Sequence, residues 1–389
     1  MTRLLLFLFS FSLPLGGIST SILGVNPGAV FALLLIIAIV YQNRLIILSK
    51  GIFFLFGCMI TLFLMHAFRD SDALLLAVHF TYYLLIGIIL GSFSEKHQLK
   101  AFYSGFVYGI ITVCLIFFLS LFNGGVDNAV IEWQFGWPVN LSGFGNPNGW
   151  APFLILAVAA NDYLYGNLKV SRRFLNRHFI FQSVILSNLF FTYSRASILS
   201  VIFYYAVAYY KTPRVFLNFG FLLTLILTAL LIQNYFLPEF GAFEAGTIIS
   251  NKAGSIDARG YIFSAVKEFP WDNFLIGNGY GTGKYLVQEI TGYQLSLHNA
   301  FLAVLVELGF VQFVVFLIIC IHPFILLSMG NRKIPLSRSP DRFIFTAILA
   351  FYLMWMLHES YINTAFWAFY FCSLLHIRHS RKNLSSLTH

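Results

Sequence analysis

Apolar residues in this chain run on without a polar stripe, in stretches of about 18 residues or more broken by short polar turns. Each stretch is long enough to cross roughly 30 Å of hydrocarbon as an α-helix. A helix that is apolar on every side belongs inside lipid or a large core. The pattern predicts about twelve spans, at about 4–23, 27–42, 48–67, 73–93, 100–122, 149–165, 178–193, 196–210, 215–237, 297–328, 343–358 and 361–377. A membrane barrel would instead alternate apolar and polar positions over runs of about ten residues, and the sequence shows none. Two connections, about 123–148 and about 238–296, are longer than turns and fall on the same side of the spans. Connections of that length are usually functional or disordered, and Tyr261, Phe263, Phe269, Trp271 and Phe274 in the second argue against disorder. No linker, low-complexity tract or internal repeat interrupts the pattern. Residues 1–389 therefore read as a single membrane domain, with 238–296 as one large loop within it.

Composition agrees. Apolar residues make up 59% of the 389 and charged residues only 10%, with a mean hydropathy of +0.79. A soluble domain carries roughly 25% charged residues. The fold class expected is an all-α polytopic membrane protein. Charge then orients it, because short cytoplasmic loops retain Lys and Arg. Most of the 24 basic residues fall in one alternate set of connections, among them Arg3, Arg44, Lys96, Arg173, Lys211, Arg338 and Arg381. The other set holds Arg69, Arg195, Arg259, Lys252, Lys267 and Lys284 and most of the 15 acidic residues. Both termini are predicted to be cytoplasmic, and the large loop faces the opposite side. The net charge of +9 is thus a topology signal spread over short loops, and nucleic acid is not an expected partner. The first apolar run lacks a convincing small-x-small cleavage site and reads as a retained helix. Cys58, Cys114, Cys320 and Cys372 lie within predicted spans without metal-ligand spacing, so they read as packing residues, with no disulfide framework and no metal.

Ionisable groups at membrane depth or at span ends are costly unless paired or hydrated, which makes each a functional candidate. Four stand out on the outer side: Arg195, Arg259, His298 and Glu307. Arg195 occupies a tight turn between two spans, where a headgroup anchor is an equally good reading. His298 and Asn299 open the long span after the large loop. A lone interfacial histidine is more often a packing residue than a catalyst, and its company with two arginines is what raises it. Glu307 lies nine residues on, half a helical turn out of phase with the histidine. Two guanidinium forks match the oxygens of a diphosphate, and a histidine can take a proton from an attacking hydroxyl. That set suits displacement of a lipid diphosphate by an alcohol. No acidic pair beside it suits glycoside hydrolysis. Within the loop, 257–269 reads as an amphipathic surface helix with Tyr261, Ala265 and Phe269 on one face. Gly277–Gly283 follows no strand of a βαβ unit, which argues against a nucleotide loop. Gln182, Asn188, His66, His79 and Asn161 read as groups that bond neighbouring helices. Gly143–Trp150 is either an ordinary helix start with Asn148 capping or a wall of the substrate site.

Four stretches, in this order, resemble the O-antigen polymerase and O-antigen ligase superfamily: Phe144-Gly-Asn-Pro-Asn148, Thr192-Tyr-Ser-Arg-Ala-Ser197, Asp257-Ala-Arg-Gly260 with Leu275-Ile-Gly-Asn-Gly-Tyr-Gly281, and Leu297-His-Asn-Ala-Phe-Leu302 with Glu307-Leu-Gly309. The resemblance covers roughly 140–315. It implies a glycosyltransferase of the bacterial inner membrane, acting at the periplasmic face on undecaprenyl-diphosphate-linked glycan without a metal, nucleotide sugar or other cofactor. By resemblance, Arg195 and Arg259 hold the diphosphate and His298 assists the attacking hydroxyl. Asn146, Asn148, Tyr193, Asn299 and Glu307 would contact substrate. Expected partners are the lipid-linked glycan and membrane lipid, with a chain-length regulator as a further candidate.

Ligases of the superfamily often carry a second histidine two residues before the motif histidine, where this chain has Ser296. The Asn-Pro-Asn start is commoner among polymerases. The expected activity is therefore polymerisation of lipid-linked repeat units, with ligation of glycan to lipid A core as the alternative. A polysaccharide transporter or flippase is the reading from another class, since about twelve spans also suit a carrier. Carriers, however, place charges mid-membrane and show related halves.

Overall fold

Pro27 takes the first helical position behind Asn26, whose side chain accepts from Gly28 N at 2.9 Å. Proline loses nothing where the backbone N–H has no partner anyway, so this pair starts a helix without any charge. Most helices here form because lipid and neighbouring helices leave the backbone no other hydrogen-bond partners. The computed structural model describes residues 2–15, 26–42, 50–67, 71–93, 95–122, 131–134, 137–141, 147–165, 177–192, 194–210, 262, 264–269, 275, 277–292, 296–328, 339–357 and 363–385.

In chain order the helices are α1 (Thr2–Ser12), α2 (Pro27–Tyr41), α3 (Lys50–Ala67), α4 (Ser71–Ser92), α5 (Lys96–Phe122), α6 (Pro147–Tyr165), α7 (Arg177–Phe191) and α8 (Arg195–Ala208). Then come α9 (Gly283–Thr291), α10 (Ala300–Ala303) running into a π-helical turn (Val304–Leu308), α11 (Phe310–Ser328), α12 (Asp341–Trp355) and α13 (Thr364–Ser385). Three helices among the described residues are long and apolar enough to cross a membrane: Ala73–Ser92, Lys96–Ser120 and Phe310–Ser328. The rest of the described segments fall largely on the predicted apolar runs. The segment expected at about 297–328 is broken at Gly309 (φ 88°) into a short helix, a π turn and α11. The segment expected at 215–237 lies outside the described residues.

One element departs from the all-α expectation. Between α5 and α6 sits an antiparallel hairpin of β1 (Ile131–Gln134) and β2 (Trp137–Leu141), pairing Ile131 with Leu141 and Gln134 with Trp137. A register shift falls between Glu132 and Trp133. The aromatic and β-branched residues of Ile131-Glu-Trp-Gln134 favour a strand, and Gly136 lies within the connection. β2 packs against α6 and α7.

Exposure is inverted relative to a soluble protein. Val30, Leu33, Leu34, Ile37 and Val40 of α2 and Phe310, Val311, Ile318, Ile321 and Ile325 of α11 are exposed, while Asn161, Asp162, Gln182 and Asn188 are buried. That is the arrangement lipid demands. α1 lies against α5 through Gly105-Phe-Val-Tyr-Gly109, where a Cβ on either glycine would collide with the carbonyl oxygen of Phe7 or Phe11. Small residues four apart let two backbones meet in this way. Phe56, Phe80, Tyr83, Trp367 and Phe371 interlock α3, α4 and α13.

Helix directions place one set of ends together: the N-termini of α5, α7 and α12 and the C-termini of α6, α8 and α13. Here Asp162 Oδ1 lies 2.8 Å from His178 Nε2, and its Oδ2 accepts from the Tyr204 hydroxyl at 2.9 Å. Asp341 Oδ1 lies 3.1 Å from His376 Nδ1, and Tyr103 Oη lies 2.9 Å from His376 Nε2. Asn161 donates to the His178 carbonyl at 3.0 Å and to Gln182 Oε1 at 2.6 Å. Arg177 lies over the rings of Tyr108, Tyr165 and Phe181. The opposite ends carry the hairpin, the start of α6, the α7–α8 turn and the segment leading into α10.

Candidate functional site

The α7–α8 turn is built from hydroxyls. Thr192 Oγ1 donates to the Leu189 carbonyl at 2.6 Å and accepts from Ser194 N at 3.4 Å. Ser194 Oγ lies 2.9 Å from Ser197 Oγ, and Ser197 Oγ donates to Met354 Sδ at 3.8 Å near the end of α12. These bonds fix the first residue of α8, the exposed Arg195. A cation at a helix N-terminus opposes the helix dipole by roughly 0.3–1 kcal/mol. Helix stability therefore does not select arginine here, and an anion arriving at this end would meet both the guanidinium and the first-turn N–H groups.

The segment before α10 is fixed from both sides. Asn299 caps α10: its Oδ1 accepts from Leu302 N at 3.0 Å, and its Nδ2 donates to the Met356 carbonyl at 3.2 Å. Leu297 is buried. Between them His298 has φ 51°, the one positive φ among the described non-glycine residues. A side chain in that region costs of order 1 kcal/mol, and such strain persists where surrounding structure dictates it. Arg195 and His298 are thus brought to the same end of the bundle. The first turn of α8 rests on Met354, and the cap of α10 is tied to Met356.

Behind His298 the chain closes on itself. The π turn and the break at Gly309 leave carbonyls without their helical partners. Residues 277–279 supply them: Asn278 donates to the Val306 carbonyl through N at 3.2 Å and through Nδ2 at 2.9 Å, and Gly279 N donates to the Glu307 carbonyl at 2.9 Å. Glycine is required there. Gly277 has φ 81°, and a Cβ on it would meet Leu308 C at 2.5 Å and Glu307 O at 2.6 Å. The Gly277–Gly283 stretch is therefore a strap laid on backbone, with no phosphate-loop geometry. Glu307 is 5% exposed, and its Oε1 accepts from Gly283 N, the first amide of α9, at 3.2 Å.

Of the remaining sequence candidates, Arg259, Asn146 and Tyr193 lie outside the described residues. Asn148 stands on the first turn of α6, and its neighbour Trp150 donates from Nε1 to Asn188 Oδ1 at 2.6 Å, tying that turn to α7. Asn161, Gln182 and Asn188 bond neighbouring helices as expected, whereas His79, expected to do the same, stacks on Tyr83 of its own helix α4. In the predicted surface helix, 264–268 is helical, with Ala265 and Phe269 buried and Lys267 and Glu268 exposed. Sequence reasoning did not single out Asp162 or His178. A carboxylate embedded in an otherwise apolar run was the visible signal.

No curated protein and no solved structure matches this chain. Residues 181–317, which hold most of α7, Arg195, the glycine strap, His298 and Glu307, match the family model of O-antigen ligase, within the superfamily that the four ordered motifs resemble.

Proposed function

We propose that the protein is a multi-pass glycosyltransferase of the bacterial inner membrane that polymerises undecaprenyl-diphosphate-linked repeat units at the periplasmic face. In this reading residues 1–389 form one domain of about twelve spans with cytoplasmic termini, and 238–296 is the periplasmic loop over the site. The observation that carries it is that the elements bearing Arg195 and His298 are both tied to the C-terminal end of α12, through Met354 and Met356, and that both residues lie within the segment that matches the family. Arg195, with Arg259 from the loop, holds the donor diphosphate. The hydroxyl of an acceptor repeat attacks the anomeric carbon of the donor glycan. The new C–O bond forms as the bond to the diphosphate oxygen breaks, and His298 takes the hydroxyl proton. Arginine neutralises the leaving group without a metal. Asn299 holds the helix that follows His298, and Asn146, Asn148 and Tyr193 are assigned to substrate by the motifs they stand in.

Polymerase is preferred to ligase because Ser296 stands where many ligases carry a second histidine. The interlocked Asp162–His178 and Asp341–His376 pairs at the other end favour a closed face over the alternating opening of a carrier. Deleting the gene and running surface glycan on a gel tests the reading. A polymerase leaves a single capped repeat unit. Loss of all glycan from lipid A core identifies a ligase, and accumulation of repeats on the cytoplasmic side identifies a flippase.

A further inference from the structure

The carboxylate of Glu307, which the sequence suggests as a substrate contact, is buried and bonded within the chain. Thr282, at the N-cap of α9, makes no side-chain cap bond to the helix, and its hydroxyl donates instead to the Gly279 carbonyl at 2.6 Å. Glu307 Oε1 takes the vacant role, accepting from Gly283 N at 3.2 Å. The carbonyl of the same residue accepts from Gly279 N at 2.9 Å, so Glu307 holds the strap at two points, Gly279 and Gly283. Gly283 in turn abuts the residue before the histidine: a Cβ there would lie 2.5 Å from Leu297 Cδ1 and 3.0 Å from Glu307 Oε1. Leu297 is wedged behind His298, whose positive φ needs an anchor on each side. Asn299 is one anchor, and Leu297 on Gly283 is the other.

We infer that Glu307 is a positioning residue for His298 and makes no contact with substrate: through Gly283 and Leu297 it sets where the imidazole stands. The inference rests on the glycosyltransfer reading above for what the imidazole does. It also accounts for a spacing that puts Glu307 out of helical phase with His298, since the connection runs through the strap and not along the helix.

The test uses the full chain in lipid vesicles with a lipid-diphosphate-linked repeat unit, reading kcat, KM and amide hydrogen exchange over 277–298. Glu307→Gln keeps an acceptor oxygen for Gly283 N, so its kcat should fall less than about threefold, with exchange close to that of the unsubstituted protein. Glu307→Leu should lose about thirtyfold or more in kcat while KM moves less than about threefold, because misplacing a catalytic group by about 1 Å costs up to 10²-fold. Its 277–292 amides should exchange faster. If Glu307→Leu does not fold, Gly283→Ala displaces Leu297 from the other side and should give the same kcat loss. The inference is overturned if Glu307→Gln is as inactive as Glu307→Leu with unchanged exchange, which would place the carboxylate on the reactants. Normal kcat in Gly283→Ala, or faster exchange in Glu307→Leu without loss of kcat, overturns it too. Failure of the unsubstituted protein to elongate glycan overturns the polymerase reading instead. Exchange still judges the strap in that case, since unchanged protection in Glu307→Leu would refute it.

Discussion

Replacing Asp162 by Ala removes the acceptor that joins three helices at the end of the bundle remote from His298. Its side chain is fully buried, and it holds His178 at 2.8 Å and the Tyr204 hydroxyl at 2.9 Å. Breaking one half of a buried charged pair typically costs about 3–5 kcal/mol. Two facts reduce that figure. The His178 side chain is 21% exposed and can rehydrate, and polar pairs between membrane helices average only about 0.6 kcal/mol because the unfolded helices find other partners. Tyr204 cannot rehydrate, being buried against Tyr205. The expected loss is about 2 kcal/mol, and Asp162→Asn, which keeps an oxygen for Tyr204, should lose about half as much. Thermal unfolding of purified protein in detergent measures both, and the double variant Asp162→Ala/His178→Ala should lose less than the two single losses together. Glycan transfer per folded molecule should stay within about twofold, since nothing at this end touches the reactants. An unchanged unfolding midpoint, strict additivity, or a large loss of transfer by stable protein would each refute the argument.

Gly277→Ala forces a Cβ into the backbone of Leu308 and Glu307 at a positive φ. It should detach the strap and abolish transfer, with loss of amide protection across 277–292 as the independent readout. His298→Gly should stop elongation, leaving a single repeat on the gel, yet unfold no earlier than the unsubstituted protein, because glycine relieves the strained φ by about what it costs in chain entropy. Gly105→Leu drives a side chain into the Phe7 carbonyl and should separate α1 from α5, costing about 2–3 kcal/mol of stability, read as a lowered unfolding midpoint. For orientation, cysteine placed at exposed Ser296 should react with an impermeant maleimide from outside intact cells, and cysteine at exposed Lys96 only after the inner membrane is opened. The reverse pattern would invert the topology.

The helices were legible because lipid makes the signal simple: a run of apolar residues is a helix, with most ends moved by only a few positions, although α1 stops at Ser12 short of the expected 23 and α13 runs on to Ser385 past the expected 377. The hairpin at 131–141 was not, since strands of four and five residues in a polar connection carry too little pattern to be separated from loop. The break at Gly309 was hidden for a related reason. Val304–Leu308 is as apolar as its neighbours apart from Glu307, and a π turn leaves no mark on hydropathy. The site was half legible. Arg195, His298 and Asn299 announced themselves by charge or polarity at span ends, and the structure brings their elements together. The work of the glycines was illegible because it depends on a partner backbone some 25–30 residues downstream. Gly277 means little until the backbone of the π turn is seen beneath it, and Gly283 until the Glu307 carboxylate and Leu297 are.

The two ends of the bundle treat polar groups in opposite ways, and this is the strongest physical argument for where function lies. At the Asp162 end carboxylates, imidazoles, amides and phenols find one another, and the result is cohesion. At the His298 end the chain accepts features that cost free energy. Arginine opens a helix against its dipole, a histidine sits at positive φ, and a helix is interrupted by a π turn whose carbonyls must be met by a strap of glycines. Folding alone would select none of these, because, with Ser194 already at the N-cap, an acidic or neutral residue in the first turn and a continuous α-helix through 300–328 would be more stable. Irregularities of this kind survive together when a reaction needs the geometry they produce. An anion at Arg195 reverses the sign of the first penalty, since the charge that opposes the dipole then pairs with the ligand. Substrate diphosphate should accordingly stabilise the protein more than its uncharged glycan does, and Arg195→Gln should remove that difference in the ligand-induced shift of the unfolding midpoint.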